Sequence, residues 1–130
     1  LEQIILSQDH VVHIIEPDKS IVESLTVLLE TYNLSVCTFS DAESYLEFQA
    51  SSAENPCCLL VASNLPGKSG PLLVQQIRTQ YYHFPIIMLT DTDEREIRRQ
   101  ARRSGATEVV SKPLMNSVLL QKLAQFCIQI

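Results

Sequence analysis

The stretch Cys58-Leu59-Leu60-Val61-Ala62-Ser63-Asn64-Leu65-Pro66-Gly67-Lys68-Ser69-Gly70 passes from an apolar run to a turn and on to a helix start. The run, counted from Cys57 to Val61, shows no polar alternation, which is the pattern of a parallel strand buried on both faces. Leu65-Pro66-Gly67 supplies the turn. Helical spacing then runs from about Ser69 to Gln80. A strand covered on both faces needs an element packed above and another below it, so this stretch already argues for a layered α/β domain.

The rest of the chain repeats the unit. Further apolar runs lie at Val11 to Ile15, Leu34 to Phe39, Pro85 to Leu89 and Thr107 to Ser111. Between the first two, Ile21, Leu25, Leu28, Leu29 and Tyr32 share one helix face, with Asp18 or Ser20 available as a cap. Ser40-Asp41-Ala42-Glu43 has the spacing of a capping box and opens a second helix. A fourth helix is predicted from Thr92 to Ser104, ended by Gly105 in a left-handed cap, and a fifth from Leu114 to Gln129. Strict alternation with short connections predicts a three-layer α/β domain with right-handed crossovers.

At 130 residues the chain fits one domain. A net charge of -5 and 45% apolar residues argue against disorder and against general affinity for nucleic acid. Cys37, Cys57, Cys58 and Cys127 match no metal spacing and are expected as buried thiols in a reducing cytosol. No apolar run approaches the ~18 residues of a membrane span, which predicts a cytoplasmic protein with no membrane contact. The chain starts at Leu1 and stops within Phe126-Cys127-Ile128-Gln129-Ile130, so it is expected to be a single domain (1–130, structured core about 10–128) excised from a longer protein.

In folds of this class, chemistry gathers at the C-terminal ends of the strands. Those ends carry Glu16-Pro17-Asp18, Ala62, Thr90-Asp91 and Lys112-Pro113. With Leu65-Pro66-Gly67 and Gly105-Ala106, this ordered set resembles the receiver domain of two-component response regulators, over nearly the whole chain. His13 and the Leu-Pro-Gly-x-Ser-Gly loop look most like receivers that precede helix-turn-helix DNA-binding domains. The resemblance implies a flavodoxin-like receiver fold, a doubly wound five-stranded parallel sheet in the order 2-1-3-4-5. It also implies a cis peptide between Lys112 and Pro113.

In that family an aspartate ending strand three accepts a phosphoryl group from a phosphohistidine. Two acidic residues after strand one help to hold Mg²⁺, a threonine and a lysine contact the phosphoryl oxygens, and an aromatic residue on strand five turns inward. Carried onto this chain, Glu16 and Pro17 match the acidic pair, Ala62 the acceptor, Thr90 the hydroxyl, Val109 the aromatic and Lys112 the lysine. Ala62 has no lone pair with which to form an acyl phosphate. Pro17 removes a carboxylate, Glu16 alone remains of the acidic cluster for Mg²⁺, and Val109 has no ring. No metal or cofactor is expected. A direct Glu16 to Lys112 pair is the expected substitute.

Thr90 reads equally as a structural residue, capping the fourth helix or filling a strand end, or as a remnant of the switch. Asp91-Thr92-Asp93-Glu94 places acids at a helix N-terminus, the reading preferred over a replacement acceptor at Asp91. Ser63 reads as a loop residue, and His10, His13 and His83 as packed or exposed side chains.

The fourth helix carries Arg95, Arg98, Arg99, Arg102 and Arg103, half of the 10 Lys and Arg residues. Glu94 with Arg98 and Glu96 with Arg99 support a solvated helix, while Arg98 with Arg102 and Arg99 with Arg103 are like charges one turn apart. A solvated face and a protein-contact face are both open, with direct DNA contact a distant third. The fifth helix has one apolar stripe through Leu119, Leu123, Phe126, Cys127 and Ile130 and another through Leu120, Ala124 and Ile128. The second stripe exceeds what the sheet can cover and suggests a subunit contact or continuation into a following domain.

The resulting expectation is a phosphorylation-independent receiver-like module, not an enzyme. It would form a homodimer or dock a protein partner, using Arg95, Arg98, Arg99, Arg102, Leu120 and Ile128. It would control an attached output domain, with DNA contacted only through that domain. The alternatives are a receiver phosphorylated at Asp91 or Ser63, and a flavodoxin-like ligand- or cofactor-binding domain. The latter would need a phosphate loop after strand one, where Glu16-Pro17-Asp18 would repel the ligand.

Overall fold

Strands β1 (Val11–Ile15), β2 (Ser35–Phe39), β3 (Cys58–Ala62), β4 (Ile86–Thr90) and β5 (Glu108–Ser111) form one parallel sheet ordered β2-β1-β3-β4-β5. The computed structural model describes residues 11–52, 54–80 and 82–127. The register sets Ile14 opposite Leu60 and Val61 opposite Met88, so the apolar centres of three strands lie side by side. Every residue of β3 and β4 is buried. That is why their sequences run apolar without alternating.

The helices are α1 (Lys19–Thr31), α2 (Ala42–Ser51), α3 (Gly70–Thr79), α4 (Arg95–Ser104) and α5 (Asn116–Cys127). One layer packs Leu25 and Leu29 of α1 and Leu119 and Leu123 of α5 on Val12, Ile14 and Leu60. On the opposite face, Tyr45 of α2, Leu73 and Ile77 of α3 and Ala101 of α4 cover Ile15, Leu59, Val61 and Met88. Each fully buried side chain of this size contributes about 1.5–3 kcal/mol relative to exposure, before ordering entropy is set against it. The sheet is thereby fixed as a rigid floor for the loops at its C-terminal edge.

Local chemistry explains the helix boundaries, and three expectations need correction. Asp18 caps α1, but the N-cap of α2 is Asp41, whose carboxylate accepts from Ser44 N at 2.7 Å, not Ser40 of the expected capping box. Helix α4 starts at Arg95, not Thr92, because residues 90–94 form a hydrogen-bonded loop of their own. Its end matches expectation: Gly105 adopts φ +119, and a Cβ there would meet Arg78 Cγ at 2.6 Å.

The third correction concerns the cysteines. Cys57 and Cys127 are joined by a disulfide with Cα atoms 5.1 Å apart, whereas Cys37 and Cys58 are free. Spacing gave no hint of it, since the partners are 70 residues apart and meet only when α5 packs on the sheet. Burial pushes the Cys58 thiol up to about 12, which leaves it unreactive. No helix among the described residues is long and apolar enough to cross a membrane.

Candidate functional site

At the C-terminal edge of the sheet, Glu16 follows β1 directly and is held by its backbone N–H, which donates to Phe39 O at 2.9 Å. The residue is 3% exposed. Lys112, just past β5, brings Nζ to 3.1 Å from Glu16 Oε1. The approach falls outside hydrogen-bonding geometry, so the contact is ionic and not a directed bond. The other carboxylate oxygen, Oε2, accepts from Asp18 N at 3.1 Å. The Lys112–Pro113 peptide is cis.

Asp18 turns away from the sheet edge. Its Oδ1 accepts from Ser20 N at 2.9 Å and Ser20 Oγ at 2.7 Å, bonds that hold its carboxyl below the usual range, the Ser20 side chain foremost. Pro17 is exposed and offers no donor. Ala62 closes β3 fully buried, with its carbonyl packed so tightly under α3 that a Cβ on Gly70 would stand 2.3 Å from the oxygen. Only glycine allows α3 to begin that close.

Thr90 is fully buried, and its Oγ1 donates to Thr92 O at 2.8 Å. It does not cap α4, whose N-cap is Glu94 with no side-chain cap bond. Asp91 reaches across the edge instead: Oδ1 lies 3.4 Å from Lys112 Nζ, and Oδ2 accepts from Asn64 Nδ2 at 2.6 Å. So Glu16, Asp91 and Lys112 converge, with Ala62 and Thr90 ending the two strands between them. Ser63 has its backbone bonded to Leu89 and Gly70.

Val109 is 2% exposed and forms part of a cleft of about 430 Å³ with Arg98, Lys112, Met115, Val118 and Lys122. Along α4, Arg98 pairs with Asp93 at 2.9 Å, not with Glu94, and Arg99 pairs with Glu96 at 3.2 Å as its spacing suggests. Glu108 of β5 lies 3.8 Å from Arg102 and 3.1 Å from Lys122, tying α4 to α5. Among the described residues, Arg95 and Arg103 have no ion pair. On α5, Leu119, Leu123 and Cys127 are buried, Leu120 is half-buried and Ala124 exposed, while Ile128 and Ile130 lie outside the described residues. His13 is buried, hydrogen-bonded through Nδ1 to Tyr45 OH at 2.9 Å, and His83 is exposed; His10 lies outside the described residues.

The interactions of Asn64, Asp91 and Glu108 escape sequence reasoning. Asp91 and Glu108 stand out only as acids near basic residues, and Asn64 carries no signal at all. Among the described residues no group of three or more His, Cys, Asp or Glu side chains could hold a metal ion.

A buried parallel sheet in this order, with acid and lysine meeting at its C-terminal edge, is the frame of a receiver. The chain belongs to the response regulator receiver domain family, whose pattern matches residues 12–124. It is 27% identical over 109 residues to the transcriptional regulatory protein FixJ of Azorhizobium caulinodans, covering 84% of this chain and 51% of that protein. With nodulation protein W of Bradyrhizobium diazoefficiens it shares 31% identity over 110 residues, 85% of this chain and 48% of that protein. The chain thus spans about half the length of these relatives. The receiver domain of the Francisella response regulator 1452 superposes with a TM-score of 0.84 at 19% identity, covering 91% of this chain and 96% of that one. Full-length FixJ from B. japonicum gives 0.80 at 23% identity, covering 89% of this chain and 56% of that one. The likeness to these solved structures establishes the shared fold.

Proposed function

We propose that this receiver works without phosphorylation, as a docking or dimerisation module that governs an output domain in the remaining part of a transcriptional regulator. The observation that carries the reading is the alkyl side chain of Ala62 at the end of β3, with Lys112 already engaged by Glu16 and Asp91. A methyl group cannot attack a phosphohistidine. The lysine that would meet the phosphoryl oxygens is committed to carboxylates of the chain itself.

The Mg²⁺ used by the family does not fit these donors either. Glu16 has one oxygen on Asp18 N and the other facing an ammonium, and Asp18 spends its carboxylate on the start of α1. Protein-bound Mg²⁺ wants one or two free carboxylates beside phosphate oxygens. Signal would therefore pass through surfaces: the arginines Arg95, Arg98, Arg99 and Arg102 of α4, and Leu120 of α5, with Ile128 beyond the described residues. The module is a binding unit and not an enzyme, working in the cytoplasm as a homodimer or against a protein partner, with DNA contacted only by the output domain. The names of the relatives, transcriptional regulatory proteins of about twice this length, support a transcriptional output in the remaining part.

The test is intact-mass spectrometry of the chain after incubation with acetyl phosphate and Mg²⁺, paired with sedimentation velocity of the same samples. Unchanged mass and unchanged sedimentation are expected. A phosphoryl adduct mapped to Asp91, Ser63 or any other residue, or a donor-dependent shift in sedimentation, would overturn the proposal.

A further inference from the structure

Asp91 follows β4 directly, where an acid is ordinarily explained by the partial positive charge of a helix N-terminus. That account fails on geometry. Helix α4 starts only at Arg95, and the Asp91 oxygens are directed elsewhere, one to Asn64 Nδ2 at 2.6 Å and one toward Lys112 Nζ at 3.4 Å. The carboxylate thus joins the loop after β3 to the loop after β4 and to the residue after β5.

The neighbouring residues tighten the same loop. Thr90 Oγ1 donates to Thr92 O at 2.8 Å, and Thr92 Oγ1 accepts from Glu94 N at 3.2 Å. Glu16 pairs with Lys112 from the other side, fixing where the ammonium stands. A single exposed ion pair does little, but a short charge-assisted hydrogen bond beside it, on a loop already closed by two hydroxyls, adds directional restraint.

We propose that Asp91 is a built-in anion for this pocket, a tethered carboxylate that occupies the face of Lys112 and pins the β4–α4 loop to the β3–α3 loop. It rests on the reading that no phosphoryl group forms at this edge. Being part of the chain, the carboxylate is present at a local concentration on the order of millimolar or higher, so it needs no donor and no metal. The loop leading into α4 is then held in one arrangement by the sequence itself, and the arginine face of α4 starts from a fixed point.

The test is amide hydrogen exchange and ¹⁵N spectroscopy on the chain without any phosphodonor, comparing wild type with Asp91→Ala, Asp91→Asn and Asn64→Ala. For Asp91→Ala, exchange at the Glu94 and Gly70 amides, which donate to Thr92 Oγ1 and to Ser63 O within the two pinned loops, should quicken about tenfold, with the strands β1 and β3 unchanged. The Asn64 side-chain amide resonance should move as well. Asp91→Asn, which can still accept from Asn64 but offers no charge to Lys112, should fall between, and Asn64→Ala should quicken both loops. Exchange within about twofold of wild type at those amides in Asp91→Ala would overturn the proposal, as would a loss of protection spread evenly through β1 and β3. Because no donor is present, the outcome is independent of whether the chain can be phosphorylated, which intact mass decides.

Discussion

His13 shows how one side chain sets a condition on the whole fold. It lies in β1 with its ring against Phe39, Tyr45 and Phe48, the centroids 6.2, 5.5 and 5.5 Å away. Burial pushes its pKa down from 6.5 to about 4. The folded state therefore keeps the imidazole neutral at pH values where the unfolded chain takes up a proton. Since the unfolded state binds more protons there, the stability contributed above pH 6.5 is lost as pH falls from about 6.5 toward 4. By pH 4 the loss should be about 3 kcal/mol. Urea titrations across that window should show it in wild type and a flatter profile in His13→Gln, which can still hydrogen-bond Tyr45 but does not titrate. Equal slopes for the two proteins would remove His13 as the cause. The Glu16 to Lys112 pair, by contrast, is weak support for stability, because desolvating the buried carboxylate offsets much of the attraction. That pair was legible in the sequence, because the resemblance sets Glu16 and Lys112 at the acid and lysine positions of the pocket, with Pro17 and Ala62 in place of the other two carboxylates. The role of Asp91 was not, because it depends on a loop conformation that brings residues 64, 91 and 112 together.

Among the elements, strands and helices were legible wherever one force dominated. Continuous apolar runs located β1, β3 and β4, and Gly105 located the end of α4. The starts of α2 and α4 were missed because several polar residues competed for the same amides, and only backbone geometry chooses between them. The Cys57–Cys127 disulfide was missed for another reason: tertiary packing alone brings the end of α5 to the residue before β3. It closes a span of 70 residues, so it should stabilise the fold by up to about 4 kcal/mol through the unfolded chain. Thermal melts should show Cys127→Ser, and wild type in reductant, destabilised to the same degree. A reductant effect that persists in Cys127→Ser would point away from this bond. On α4 the apolar anchor is only Ala101, buried, and Ile97, half-buried, so the helix rests on the sheet by a narrow strip. Glu108, shared by Arg102 and Lys122, supplements it by linking β5 to the helices on both sides.

For the whole molecule, a switch in this fold requires an input group, a metal to support it and an element with two arrangements. Position 62 bears on the first, Pro17 and the engaged Glu16 on the second, and Val109, small and already buried, on the third. On the proposed reading, supplying one of these does not supply the others. Ala62→Asp would also set a third carboxylate beside Glu16 and Asp91 around one lysine, so its first effect is repulsion at the sheet edge. Ala62→Asp alone should accordingly leave self-association indifferent to acetyl phosphate, while Arg99→Glu, which reverses an exposed charge between like-charged turns of α4, should weaken it. Sedimentation velocity on wild type, Ala62→Asp and Arg99→Glu, each with and without donor, separates these effects. Donor-dependent assembly in Ala62→Asp would count against the proposed reading by showing that position 62 alone decides the response. Unaltered assembly in Arg99→Glu would remove Arg99 from the contact, leaving Arg95, Arg98 and Arg102 of α4 and the half-buried Leu120 of α5 as the next positions to change.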